Sequence, residues 1–410
     1  MRATVRAILC GIPLLAGISP AQKTSSPTGD TLVVHEWGTF TSVVGSDGAV
    51  LDWRPLVGQA DLPSFVYSNA AGGKGLRFGL TCDACGHLGC RCGKSCAPKD
   101  GSCSCKGCTV ASIRMETPVL YFYCQGNRKV RVKVGFPEGR ITEWFPKAQS
   151  VGKGIDWGLV QLLPGAGERF LVEDSPSHYY PARATDAVPV RICSPSGKEY
   201  EKFLFYRGVA DFELPLAVTL EGDNVRLSNR GKQRIDQVLV FENRSGAPDY
   251  RISCYLDAKR SIDLKRPDGK TGLDSLESDF VKILRGQGLF EKEAEAMFET
   301  WRDHWFEEGL RVFYTVPRAM TDAVLPLQVE PKPDRIERVL IGRVEIITPE
   351  MEKSLLSNAR LLGDPSFEVR ERATRALLRY GRFAEPVLKR FLERTRDLEV
   401  KTRLQGILGS

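Results

Sequence analysis

Between Thr31 and residue 269 the chain is a succession of short apolar runs with no helical period among them, and this pattern limits the fold more than any other. Segments rich in Val, Ile, Phe and Tyr fall at 113–124, 129–136, 140–145, 157–163, 188–193, 202–209, 214–220, 224–229, 236–243 and 250–256. Clusters of Gly, Pro, Asn and Asp part them. An earlier run puts Leu32, Val34 and Phe40 on one parity, and Gly45-Ser46-Asp47-Gly48 supplies a turn before Ala49-Val50-Leu51. Many short strands without intervening helices predict a sandwich-like β core over residues 31–269.

The period changes near residue 270. Leu273, Leu276, Phe280, Val281 and Leu284 recur at helical spacing, with Asp274 and Glu277 as a predicted N-terminal capping pair and Gly286 and Gly288 as the stop. Ala294, Met297, Phe298, Trp301 and Trp305 line one face of a second helix, and strands return at 310–316 and 337–347. The expectation for 270–348 is an α+β extension, carrying a helical hairpin, packed on the β domain. From Pro349 onward the chain reads as helix throughout. Asp364-Pro365-Ser366, Val369-Arg370, Ala373, Ala376-Leu377, Gly381, Ala384, Pro386 and Leu388, with an echo of Glu368-Val369-Arg370 at Glu399-Val400-Lys401, resemble HEAT-type helical repeats. Such repeats are protein-interaction surfaces, so the resemblance implies a protein partner at 349–410. A helical cap that only shields the β domain is the alternative. Stacked repeats need roughly three units to stand alone, so one and a half must lean on the preceding domain. The expected fold class is therefore mainly β with an α+β extension: a sandwich-like core, a helical hairpin insertion and a short C-terminal HEAT-like segment.

A cysteine-rich insertion interrupts the β region at about 77–111. Cys82, Cys85, Cys90, Cys92, Cys96, Cys103, Cys105 and Cys108 crowd a glycine-rich stretch with almost no large apolar side chains and one His, His87. That stretch cannot bury enough surface to offset its ordering entropy, so bonds to sulfur must hold it. CxxC and CxC pairs can chelate one ion, and eight thiolates complete two four-thiolate zinc sites or a Cu(I) cluster, with His87 able to replace one sulfur. The CxC spacing resembles metallothionein-type segments. Oxidation to four disulfides is the competing reading. A metal held here would be structural or sequestered.

The first 21 residues read as a secretory signal: Arg2 and Arg6, an apolar run from Ala7 to Leu15, then Ser19 and Ala21 two apart. The apolar run falls short of the roughly 20 residues a spanning helix needs, and no other stretch reaches that length. Residues 22–30 read as a polar linker. The expected compartment is periplasmic or extracellular. Removing the signal leaves 56 basic against 51 acidic residues, a net charge of +5. Spread over nearly 400 residues, that charge is no nucleic-acid footprint.

Common catalytic motifs are absent: His35-Glu36 lacks the second His of HExxH because residue 39 is Thr, and no GxSxG, phosphate-binding loop or dinucleotide fingerprint occurs. The weak catalytic candidates are Glu36, Glu116, His35 and His178. Glu36 has the parity of Leu32, Val34 and Phe40, and Glu116 that of Leu120 and Phe122. Carboxylates on apolar faces are costly unless paired. On neighbouring strands they could form an acid/base pair, or each could meet an Arg such as Arg183, Arg207 or Arg311. His178 sits in an aromatic loop, Tyr179-Tyr180-Pro181, and His304 with Glu307 or Glu308 gives half of a metal site.

His35-Glu36-Trp37-Gly38-Thr39, Met115-Glu116-Thr117-Pro118-Val119-Leu120-Tyr121, Tyr180-Pro181-Ala182-Arg183, Phe203-Leu204-Phe205-Tyr206-Arg207-Gly208 and Trp305-Phe306-Glu307-Glu308-Gly309-Leu310-Arg311 together resemble an uncharacterised exported bacterial family with an N-terminal HEWGT motif. The resemblance spans roughly 31–347 and implies no activity or site residues. Two functions fit: an exported non-enzymatic binding protein whose cysteine segment holds zinc or copper, or an exported hydrolase of a polymer using Glu36 and Glu116 with His35 or His178.

Overall fold

The computed structural model describes residues 30–51, 62–68, 113–167, 170–174, 177–269 and 271–409. The expected signal peptide, the linker up to residue 29 and the cysteine cluster with His87 lie outside the described residues. The fold is mainly β, with its helices gathered toward the C-terminal half.

One mixed sheet of nine strands organises the molecule. Its spatial order is Ala247–Ser253, Val238–Arg244, Gly309–Thr315, Arg335–Ile347, Val33–Gly45, Ile113–Tyr123, Leu204–Ala210, Gly139–Phe145 and Tyr67–Ser68. The opening strand Val33–Gly45 runs parallel to the closing strand Arg335–Ile347 and antiparallel to Ile113–Tyr123. The two ends of this part of the chain thus meet at the sheet's centre. Both strands are buried along nearly their whole length, as strands covered on both faces must be.

Alternation sends successive side chains of the opening strand to opposite layers. Val34, Phe40 and Val44 join an apolar layer shared with two smaller sheets. The first contains Leu327–Glu330, Arg128–Gly135, Gly154–Leu162, Val190–Ser194 and Gly197–Glu201, with Ser150–Gly152 paired at one side, and the second Leu216–Glu221, Asn224–Asn229 and Ser261–Lys265. Val33 and Trp37 point the other way, into an aromatic layer under helices α1 (Leu273–Gly286) and α2 (Glu291–Trp305). Trp301 and Trp305 stack at 6.3 Å there, and Phe280 of α1 meets Trp305 at 5.3 Å. Small sheets, large sheet and helices form three layers.

The boundary expected at residue 269 does not divide the structure. Gly309–Thr315 and Arg335–Ile347 enter the middle of the large sheet, so the stretch 270–348 is woven into the β domain rather than laid on it. The predicted capping pair of α1 does not form either. Gly272, at φ 85°, is the N-cap, and Glu277 instead binds Arg302 of α2 at 2.6 Å, which ties the hairpin together. Sequence reading passed over Ser261–Lys265, whose alternation is too polar to register.

A short helix, α3 (Arg318–Val324), precedes the closing strand, and α4 (Pro349–Leu361), α5 (Phe367–Leu378), α6 (Glu385–Arg394) and α7 (Leu398–Gly409) follow it. Thr348 starts α4 by accepting the Met351 N–H at 3.1 Å. Leu355, Leu377, Leu388 and Leu404 build a third core that also takes Val43 and Ile347, so these helices rest on the far end of the two central strands. Among the described residues no helix is long and apolar enough to cross a membrane.

Candidate functional site

The opening strand carries His35, Glu36, Trp37, Gly38 and Thr39, and the structure gives several of them a fastening role. Glu36 points into the β layer, fully buried. It accepts hydrogen bonds from Arg338 Nε and Tyr206 Oη, each at 2.5 Å. Arg338 lies directly beside it on the parallel neighbour and also donates to Asp322 at 2.8 Å. Burial works against the Arg338 charge, but Glu36 outweighs it and holds the guanidinium above its ordinary range. Gly38 leaves room for Pro118: a Cβ there would sit 2.9 Å from the proline Cα.

Glu116 does not share the face of Leu120 and Phe122. Thr117 adopts φ 47°, and the register between the opening strand and Ile113–Tyr123 slips between Glu116 and Val119. A bulge reverses which face each later residue meets. Met115 before it and Leu120 after it therefore both join the β layer, while Glu116 faces the helices. The two carboxylates lie on opposite sides of the sheet, so the acid/base pair drawn from their common parity cannot assemble. Thr41, which likewise faces the helices, donates to Glu116 at 2.7 Å, and Arg114 Nε stands 3.6 Å away.

A second buried charge network adjoins Glu116. Glu345 binds Arg343 at 2.6 Å and Arg311 at 2.8 Å, all three nearly inaccessible to water. Arg311 also donates to the carbonyls of Trp305, Glu307 and Glu308, closing the C-terminal end of α2. Burial pulls Arg311 downward against the attraction of Glu345. For Arg343 burial acts the same way, but Glu345, Glu116 and Glu307 together prevail and raise it. Both start so high that they stay cationic. The guanidinium of Arg343 lies 4.8 Å from the Phe383 ring centroid, so this network also braces the C-terminal helices.

The three Arg residues proposed from sequence as carboxylate partners go elsewhere. Arg183 forms a two-point pair with Glu201 at 2.9 and 2.6 Å. Arg207 approaches Thr117 and lies over Phe205 and Trp301, and Arg311 meets Glu345. Glu36 instead pairs with Arg338, which, like Arg343 and Glu345 of the second network, stands within the apolar run Arg335–Ile347, where charges in a central strand were a readable signal.

His35 is fully buried on the helix face. Its Nδ1 lies 2.7 Å from Glu293 of α2, which also accepts from Tyr123 Oη and from the Phe290 N–H, each at 2.7 Å. The Phe290 ring covers the imidazole at 4.4 Å. This clamp fixes α2 to the sheet, and His35 and Glu293 are both fully buried. Tyr121, Tyr123, Tyr179, Tyr206 and Tyr314 are raised well above the ordinary phenol range, first by burial and, in all but Tyr314, then by a nearby carboxylate. Tyr67, less buried, is pushed up to about 12 by burial and its hydrogen bond to Glu199. Because these folded values exceed the unfolded value of about 10, the stability they lend is complete below pH 10 and drains as pH rises through them. An alkaline absorbance titration of the 11 tyrosines will show a class, these five, that ionises only as the protein unfolds. Reversible ionisation of all 11 near pH 10 in the folded state would contradict this packing.

His178 and His304 meet outside the buried layers. His178 Nε2 lies 2.9 and 3.1 Å from the two carboxylate oxygens of Asp303, and the two imidazole centroids are 4.2 Å apart. Of the expected HxxE partners of His304, Glu307 turns its carboxylate toward Arg343, and His304 groups instead with His178 and Asp303. Burial would raise Asp303, but the hydrogen bond from His178 and the charges of both imidazoles hold it below the usual carboxylate range. Of the other thiols, Cys124 is free and buried and Cys193 free and exposed.

No family model and no curated protein matches the chain. Among solved structures it is similar to the yeast delta-COP-I mu-homology domain, at 8% identity and a TM-score of 0.29 over 78% of this chain and 98% of that one. The same domain complexed with a Dsl1 WxWxV peptide gives 8% and 0.28, over 78% and 97%. Likeness at that level carries no argument. The fold and its buried networks define a mainly β protein whose polar core fastens three layers together.

Proposed function

We propose that this is an exported binding protein that engages a protein partner through its C-terminal helices, with its cysteine segment cross-linked through sulfur by zinc or copper or by disulfides. The HEWGT and HEAT-type resemblances and the signal-like first 21 residues support export and interaction. The observation that carries the reading is a set of exposed large apolar residues on the helical layer. Phe367 is 62% and Leu398 78% exposed, with Leu361 and Leu378 also open. Gly363 abuts Asp397 and Val400, and Arg370 lies over Phe367 while reaching Glu399 at 3.3 Å, which brings Leu361, Phe367 and Leu398 to one end of the layer. Leu378 follows Phe367 by about three turns of α5 at 3.6 residues per turn, and Arg372, Arg375 and Arg379 stand exposed beside it. Apolar anchors flanked by guanidinium groups suit an acidic protein segment with hydrophobic side chains.

The test is site-specific photo-crosslinking in the exported fraction. A photoreactive residue at 367 or 398 will give one discrete adduct, and one at Tyr255, exposed in the loop after Ala247–Ser253, will not. Phe367→Glu will abolish the adduct from 398 without changing the circular dichroism. Equal labelling from all three positions, or none from 367 and 398, would reject the proposal.

A further inference from the structure

The geometry points to a divalent transition-metal site of the zinc class formed by His178, Asp303 and His304. It uses none of the residues of the cysteine cluster and does not rest on the reading of the C-terminal helices. Sequence distance hides it: His178 lies in the loop before the 3-10 turn Tyr180–Arg183, and the other two ligands occupy the last turn of α2. The fold sets that loop against the helix end.

Three features make this more than a surface ion pair. The ligand atoms of all three residues lie within 4.8 Å of one another. A tetrahedral ion with bonds of about 2.0–2.1 Å asks for ligand spacings of roughly 3.4 Å, within reach of small rotations at Asp303, which is exposed, and His304, which is half-buried. The His178 ring is largely buried and stacked on Trp301 at 5.6 Å and 18°, so its nitrogen is aimed before any ion arrives. Finally, the two imidazole centroids are only 4.2 Å apart and the Asp303 carboxylate lies beside them, so one ion can reach all three side chains. Two nitrogens and one carboxylate oxygen are borderline donors, suited to zinc, nickel or copper(II) and poorly suited to magnesium or calcium. Three protein ligands leave a fourth position for water or for a donor from another molecule.

The test is calorimetric zinc titration of the full chain against its His304→Gln and Asp303→Asn variants. Asp303 is exposed and His304 half-buried at the end of α2, and circular dichroism in chelator will verify that both variants fold. Any zinc held by cysteine appears equally in all three proteins, so the parent will bind one more equivalent than either variant, or bind that equivalent at least tenfold more tightly. Cobalt(II) in that extra site will show visible ligand-field bands without the near-ultraviolet charge transfer that thiolates give. Identical isotherms for parent and variants, or an extra equivalent carrying the thiolate signature, would overturn the proposal. Should Asp303→Asn fail to fold, His304→Gln decides alone.

Discussion

Replacing Glu345 by Ala is expected to cost about 3–5 kcal/mol of stability, read as a fall in the urea midpoint at unchanged slope. One carboxylate here answers two guanidinium groups, Arg311 and Arg343, that water does not reach. Removing it leaves like charges facing each other in a medium where they cannot be screened. The damage should spread to both flanks. Arg311 holds the carbonyls at the end of α2, and Arg343 supports Phe383 under the C-terminal helices. Glu345→Gln keeps an acceptor of the same shape but loses the charge, so it should fall between the parent and Ala. Natural domains have only about 5–15 kcal/mol in hand, and the Ala variant should therefore sit near the edge of folding. A loss below about 1 kcal/mol, the level typical of exposed pairs, would mean that water enters this network.

The second large effect concerns Glu36. Glu36→Leu strands Arg338 and the Tyr206 hydroxyl in the β layer, for an expected loss again of about 3–5 kcal/mol. The double variant Glu36→Leu/Arg338→Leu removes both charges and should recover most of that loss, because two apolar side chains in a well-packed layer replace a pair whose desolvation was expensive. Asp322 then loses a partner but is half exposed and returns to water at little cost. The non-additivity of the two changes measures the coupling directly.

Much of this architecture is legible in local pattern. The strand runs, the change of period near 270, the aromatic face of α2 and the odd presence of Glu36 on an apolar face all follow from spacing. What the chain hides is long-range. The parallel pairing of Val33–Gly45 with Arg335–Ile347 joins residues 302 positions apart, and with it Arg338 becomes the partner of Glu36 where nearer arginines had seemed as good. The side reversal at Glu116 comes from the bulge at Thr117–Pro118. Proline inside a strand marks such a bulge, and reading Pro118 that way would have separated the two carboxylates. The cluster of His178 with His304 joins a loop to a helix end 125 residues or more away, which no periodicity can report.

Glu36 fastens the buried layers, and the proposed partner contact lies at the surface. The most direct measurement takes the Glu36→Leu/Arg338→Leu protein with the photoreactive residue at 367 and assays adduct formation. The expected result is a folded protein that gives the same adduct as the parent. A protein that folds as the parent does yet yields no adduct would place the buried pair within the working site and contradict it.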